Sequence, residues 1–155
     1  MNRKGFTLIE LLAVIILVAL IGVLVMPSVI DTSNKGKQAS YDILIKNIVT
    51  ASKSYYEECE YGDLSDSKYG EYACTIDSEK KITITLSALA NTGFLSVKDV
   101  DENNNKKQVL DPRNNNNISD CQITITKNID EKYKVTYTIT PNGGNNCPTE
   151  YGSVE

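Results

Sequence analysis

The chain is organised around residues 4–12, which read KGFTLIELL and open an apolar run that continues to Ile30. Between Phe6 and Ile30 the only charged side chain is Glu10. Because a helix rises about 1.5 Å per residue, about 20 apolar residues span the hydrocarbon core of a bilayer. The sequence therefore predicts a transmembrane helix over residues 6–30, from which the rest of the chain extends.

The charges that flank this run predict its orientation. Arg3 and Lys4 precede it, whereas the first charge after it is Asp31. Positive residues favour the cytoplasmic side, so the N-terminus is expected in the cytoplasm and the bulk of the chain outside. No small-residue cleavage site of the secretory type follows the run, and the first cysteine, Cys59, lies too far away for a lipoprotein. The apolar helix is therefore expected to be retained.

Glu10 needs a physical explanation. A carboxylate within a spanning helix costs roughly 2.5 to 3.5 kcal/mol on insertion scales, so such groups usually have a partner. One interpretation is that Glu10 lies near the cytoplasmic end and extends towards the headgroups unpaired. The other is that a neighbouring chain supplies a positive counter-charge.

The order of residues favours the second interpretation. The motif resembles the N-terminus of the type IV pilins and of the pseudopilins of type II secretion and competence systems, and the residues that match are Gly5, Phe6, Thr7, Leu8, Glu10 and Leu11. The resemblance implies that a membrane peptidase cuts between Gly5 and Phe6 and that Phe6 becomes an N-methylated N-terminus. It also implies that Glu10 pairs with the Phe6 amine of a neighbouring subunit during filament assembly.

Pro27 lies where this family tends to carry a helix proline. A proline inside a helix removes one backbone hydrogen bond and kinks or locally melts the helix. Two interpretations stay open, since Pro27 could kink a continuous helix or mark the outer end of the membrane span.

Apolar residues return at helical spacing after a short polar stretch, at Tyr41, Leu44, Ile45, Ile48, Val49, Tyr55 and Tyr56. This stripe predicts an amphipathic continuation of the helix over residues 31–61. With the resemblance, the chain divides into a leader at 1–5, a transmembrane and assembly helix at 6–30, the amphipathic part at 31–61 and a globular head at 62–155.

The head is expected to contain a small antiparallel sheet. Residues 81–86 alternate as a strand, and residues 87–93 predict a helical turn with Ser87 as N-cap and Gly93 as C-cap. Residues 121–126 and 133–140 predict a hairpin, and the tail from Pro141 is expected to be a loop. The hairpin's Thr and Lys positions are expected to face solvent or another subunit, whereas the long helix should contact Ile123, Ile125, Val135, Tyr137 and Ile139. The fold class is α+β, a long helix packed on an antiparallel sheet, as in pilins.

The four cysteines all lie in the exported part, where the compartment is oxidising. An even number there favours two disulfides over free thiols or a metal site. Three pairings are possible, and we favour the sequence-local one, Cys59 with Cys74 and Cys121 with Cys147.

Composition gives little support to an enzyme. The chain has no histidine, the commonest general base and metal ligand, and no nucleophile or phosphate-binding motif. Its formal net charge of −4 argues against direct nucleic-acid binding. No cofactor is expected. Oxygen ligands at Asp99, Asp101, Asn103 and Asn105 form a weak calcium candidate, but the loop lacks the turn glycine, and Leu110 stands where a bidentate glutamate is needed.

The interpretation that accounts for these features is a structural filament subunit with no turnover of its own. The resemblance implies a single-pass plasma-membrane precursor and a mature form in a type IV pilus at the cell surface. Its partners would be copies of itself, the prepilin peptidase, the assembly machinery and the membrane. The first alternative is a pseudopilin of a secretion or DNA-uptake system. An alternative of another class is a monomeric, membrane-anchored binding protein.

Overall fold

The computed structural model describes residues 7–62, 74–97, 99–100, 107–144 and 146–155. It divides into two compact units, Met1–Ala39 and Ser40–Glu155. Its elements are α1 (Leu8–Tyr61), β1 (Lys81–Thr85), α2 (Leu86–Asn91), β2 (Asp99–Val100), β3 (Lys107–Gln108), β4 (Gln122–Ile129), β5 (Val135–Pro141) and β6 (Gly152–Val154). A long N-terminal helix followed by an antiparallel sheet confirms the α+β class.

In the first unit, α1 exposes its side chains on every face. From Thr7 to Val23 all described residues are exposed except Gly22, which is half-buried. A helix that is apolar all round is stable when lipid or other helices cover it, because it has no polar face to turn towards water. This part of α1 therefore contributes no core of its own.

In the second unit, α1 is amphipathic and builds the core. Ile48, Val49, Tyr55 and Tyr56 are buried, and Leu44 and Ile45 pack against them from the edge. This confirms the stripe expected from the sequence. The rings of Tyr56 and Tyr137 meet edge to face with 5.4 Å between centroids, which joins the helix to the sheet.

The main sheet has the strand order β1-β4-β5-β6, and every pair is antiparallel. Ile125 of the central strand β4 is opposite Ile82 on one side and Ile139 on the other. All three are buried in the same core as the helix residues. The predicted β4–β5 hairpin is confirmed, and a loop at residues 130–134 connects its strands.

Three local predictions were wrong. The tail from Pro141 is not entirely loop, because β6 pairs with the free edge of β5. A strand of three residues is too short to show an alternating pattern. β6 is therefore defined by its pairing with β5 and not by its sequence. The N-cap of α2 is Thr85, whose hydroxyl accepts a hydrogen bond from the Ala88 N–H at 3.2 Å, and not Ser87. The C-cap of α2 is Thr92, and Gly93 follows it with φ +90°.

A fourth prediction was also wrong for Lys127. The lysines of the hairpin were expected to face solvent or another subunit. Strand side chains alternate, so Lys127 shares the inner face of β4 with Ile123 and Ile125. Its side chain is only 6% exposed, and Glu60 near the end of α1 balances its charge. The ion pair removes the penalty that would otherwise turn this lysine outwards.

Candidate functional site

The N-terminus of α1 holds the carboxylate that the sequence singled out. Glu10 is the third residue of the helix, and Thr7 stands immediately before it. The Thr7 backbone N–H donates to Glu10 Oε2 at 2.9 Å, and the Thr7 hydroxyl donates to the same oxygen at 2.8 Å. The Glu10 N–H lies 3.4 Å from Thr7 Oγ1. This reciprocal arrangement is a capping box, which satisfies backbone donors that a helix start leaves free.

The capping box determines how Glu10 presents its charge. Within the described residues both donors contact Oε2, so Oε1 is open to a donor from outside the subunit. An exposed carboxylate that is held in one orientation loses less side-chain entropy when it binds a second group. The geometry therefore suits a carboxylate that keeps its own helix capped while it accepts a hydrogen bond from a neighbour.

The surface around Glu10 is apolar. The exposed large side chains of this part of α1 include Leu8, Ile9, Leu11, Leu12, Val14, Ile15, Ile16, Leu17, Val18, Leu20, Ile21 and Val23. A shallow apolar depression is lined by Ile16, Ala19, Leu20 and Val23. Soluble monomers rarely expose a continuous apolar surface of this extent, so such a surface marks an interface with protein or membrane.

Other predicted positions are only partly described. Gly5 and Phe6, the processing and methylation positions, lie outside the described residues, as do Asp101, Asn103 and Asn105 of the calcium candidate. The backbone of α1 is helical through residue 27, and the kink at Pro27 stays a prediction. Asp99 lies in β2. In the described ranges, no group of three or more His, Cys, Asp or Glu residues could hold a metal.

The transmembrane assignment of residues 6–30 also stays a prediction. Among the residues that the structure describes, no helix combines the length and hydropathy that crossing a membrane requires.

The cysteines form two disulfides, with the sequence-local pairing favoured above. Cys59 is bonded to Cys74 with 5.9 Å between their Cα atoms, and Cys121 to Cys147 with 5.6 Å. The first links the last turn of α1 to the segment before β1. The second ties the loop after β5 to the start of β4.

A buried polar cluster at the end of α1 was missed by the sequence reasoning. Lys127 Nζ lies 2.5 Å from Glu60 Oε2 and 3.1 Å from the Tyr61 hydroxyl. Burial opposes the charged form of Lys127, but the hydrogen bonds that its ammonium donates to Glu60 and Tyr61 outweigh this effect and raise the pKa of the ammonium. Burial and the nearby Glu57 carboxylate also raise the pKa of Tyr137 to about 12. The sequence contained one sign of this cluster. Lys127 lies two residues after Ile125, and residues two apart in a strand share a face.

A second ion pair lies within the asparagine-rich loop, and its arginine also contacts α1. Asp111 is 2% exposed, and its Oδ2 lies 2.7 Å from Nη2 of Arg113. The Arg113 guanidinium stacks on the Tyr41 ring with 3.4 Å from Cζ to the ring centroid, a cation–π contact. The hydrogen bonds from Arg113 hold the pKa of Asp111 below its usual value, against the opposing effect of burial. The Lys127–Glu60 pair joins β4 to α1, whereas the Asp111–Arg113 pair lies within one loop, which contacts α1 through the stack on Tyr41.

Comparison with known proteins agrees with the reading of the N-terminus. No curated protein and no solved structure matches the chain significantly. Residues 1–26 match the family model described as the prokaryotic N-terminal methylation motif. The chain therefore carries a prepilin methylation motif at its N-terminus, consistent with the type IV pilin and pseudopilin family.

Proposed function

We propose that this chain is the precursor of a structural subunit, which is cleaved after Gly5, N-methylated at Phe6 and polymerised through its N-terminal helix into a type IV pilus. The observation that carries the proposal is the exposed apolar surface of α1 from Leu8 to Val23, in which Glu10 is the single charge. The match of residues 1–26 to the methylation motif supports the processing step.

Assembly moves the apolar part of α1 from lipid into a bundle of like helices. Lipid tails are as apolar as leucine, so the hydrophobic effect contributes little to this transfer, and close packing with polar pairs sets the affinity. Burying an unpaired carboxylate is costly, and a charge-assisted hydrogen bond to the Phe6 amine of the next subunit offsets much of that cost.

The same pair selects the axial register. A neighbour displaced along the filament leaves both the Glu10 carboxylate and an amine without partners, so wrong registers are disfavoured. The Phe6 amine of one copy meets Glu10 of another, which makes the interface heterologous. A heterologous interface that does not close yields an open helical filament.

The exported unit, Ser40–Glu155, contributes the head that each subunit displays. Its two disulfides suit an oxidising, extracellular setting. The backbone of Asp111 holds the exposed asparagine run at residues 114–117, since its carbonyl accepts from the Asn114 and Asn115 N–H groups and its N–H donates to the Asn116 carbonyl, which gives the head a stable polar surface. These features favour an exposed pilus over a short pseudopilus within the envelope.

The test compares Glu10→Ala, Glu10→Gln and a control, Asp31→Ala, in cells that assemble the wild-type protein. Asp31 is another carboxylate of α1, and its partner is Lys35 at 2.8 Å in an exposed pair of little energetic weight. We expect the two Glu10 variants to be cleaved and to accumulate in the membrane without forming filaments. The Asp31 variant should assemble normally.

Electron microscopy and the amount of sheared filament protein give the readout. Normal filaments from Glu10→Ala would contradict the proposed role of the carboxylate. A wild-type chain that stays monomeric would instead support the anchored binding protein.

A further inference from the structure

Asn142-Gly143 is the only Asn-Gly pair in the chain, and it follows directly after β5. Both residues are exposed. Gly143 has φ +85° and Gly144 has φ +122°, a backbone region that favours glycine. The loop therefore combines an accessible amide side chain with a neighbour that has no side chain to obstruct it.

The disulfide next to this loop explains one of the two glycines, Gly144. A Cβ on Gly144 would lie 2.6 Å from Cys147 Sγ, too close for any real side chain. Gly143 has open space around it, and its positive φ alone favours glycine there. The path that the chain takes from β5 to Cys147 thus places a glycine directly after Asn142.

We propose that Asn142 is a self-modification site, at which the asparagine converts into aspartate and isoaspartate without an enzyme. The Gly143 backbone nitrogen, after losing its proton, attacks Cγ of Asn142 and forms a C–N bond. The attack closes a five-membered ring, and Nδ2 takes up a proton from water and leaves as ammonia, which gives a succinimide. Water then adds to either ring carbonyl and opens the ring, so the products are Asp or isoAsp at position 142. Water is the only co-reactant, and no oxidant or reductant is needed.

The local hydrogen bonds leave the reacting groups available. Asn142 Nδ2 lies 3.4 Å from Gln122 Oε1, a long contact that holds the departing amide weakly. Within the part of the chain that the structure describes, the Gly143 N–H donates to no protein acceptor. The Asn142 backbone N–H, by contrast, donates to the Gln122 carbonyl at 3.0 Å and holds the end of β5 against β4.

The reaction changes the surface of the head in two ways. It adds one negative charge to a chain whose formal net charge is already −4. The isoaspartyl product also adds a methylene to the backbone after the Asn142 Cα, which lengthens the path from β5 to Cys147. Modified subunits would therefore differ from new ones in charge and in the shape of this loop, and the difference would accumulate with time outside the cell.

The experiment incubates the purified, disulfide-intact protein at mildly alkaline and mildly acidic pH and maps peptides by mass spectrometry over time. We expect a gain of about 1 Da at Asn142, as an amide becomes a carboxylic acid. The gain should be faster at the higher pH, because the attacking nitrogen must lose a proton, and both Asp and isoAsp should be found.

Asn115 and Asn116 are internal controls, because they are exposed in the same molecule and neither precedes a glycine. A second control, Asn142→Gln, should remove the gain, since its longer side chain does not form the five-membered ring. An Asn142 that gains mass no faster than Asn115 and Asn116 would overturn the proposal. So would a gain at Asn142 that is independent of pH or yields Asp without isoAsp.

Discussion

Lys127, on the inner face of β4, and Glu60, in the last turn of α1, form an ion pair with 2.5 Å between Nζ and Oε2. The two residues are 67 positions apart in sequence. Their side chains differ in exposure, at 6% for Lys127 and 26% for Glu60. The pair fastens the end of the long helix to the central strand of the sheet.

Because the two side chains differ in exposure, replacing Lys127 and replacing Glu60 should lower the free energy of unfolding by different amounts. Glu60→Gln leaves a buried ammonium without a counter-charge, so we expect a loss of about 3 kcal/mol in the free energy of unfolding. Lys127→Met leaves a carboxylate that water can reach and adds apolar volume to the core, and its cost should be about 1 kcal/mol. Urea unfolding of the protein measures both. Equal losses, or a larger loss for Lys127→Met, would contradict the buried position of the lysine.

Asp111 makes the stability of the head depend on pH in the acidic range. Hydrogen bonds from Arg113 lower its pKa in the folded state, so its contribution is complete above the unfolded value of about 3.9 and is lost as pH falls through the folded pKa. Asp111→Asn should therefore cost roughly 2 kcal/mol near neutral pH, and the difference from wild type should shrink in acid. Unfolding curves at several pH values provide the check. A cost that does not change with pH would show that the charge of Asp111 is not what holds Arg113.

The Cys121–Cys147 disulfide closes a loop with a sequence separation of 26. Loss of loop-closure entropy in the unfolded chain predicts a stabilisation of about 3.5 kcal/mol. The double variant Cys121→Ser with Cys147→Ser should lose about this amount, and the tail that carries β6 should exchange its amide hydrogens faster. Reduction of the wild-type protein should reproduce the effect only if Cys59–Cys74 stays intact, so the double variant is the cleaner measurement. Unchanged stability would mean that the bond constrains little in the unfolded chain.

Thr7 is expected to act on Glu10 through the capping box. Thr7→Val removes the hydroxyl that donates to the Glu10 carboxylate and accepts from its backbone N–H, whereas Thr7→Ser keeps both contacts. Loss of an N-cap costs about 1 kcal/mol, so the first turn of α1 should fray in the valine variant alone. Amide hydrogen exchange at Glu10 and Leu11, whose N–H groups both donate to Thr7, would report the fraying in detergent micelles. Equal exchange rates in the valine and serine variants would show that the Thr7 hydroxyl does not stabilise the first turn of α1.

Much of the architecture could be predicted because it depends on local pattern. The apolar run before Ile30, the helical stripe through Ile48 and Tyr55, and the alternating strands around Ile125 each follow from the spacing of apolar residues. The sequence-local cysteine pairing also matches the structure, although sequence alone left the other pairings open.

The features that could not be predicted depend on contacts between residues distant in sequence or on the free edges of strands. The lysines of the hairpin were expected to face solvent or another subunit, whereas Lys127 lies on the inner face of β4. A lysine is acceptable there only because Glu60 lies opposite, and spacing does not reveal that contact. β6 forms because β5 offers a free edge, not because its three residues favour a strand. Thr85 rather than Ser87 caps α2, since the strand ends one residue earlier than its alternation indicated.

The most direct test of the central proposal is the intact mass and N-terminal sequence of the protein from its native cell. If the chain is a pilin precursor, the mature protein begins at a methylated Phe6 and is found in sheared surface filaments. A chain that still begins at Met1, or that is cut beyond Ser28, would contradict it and leave an anchored or secreted binding domain.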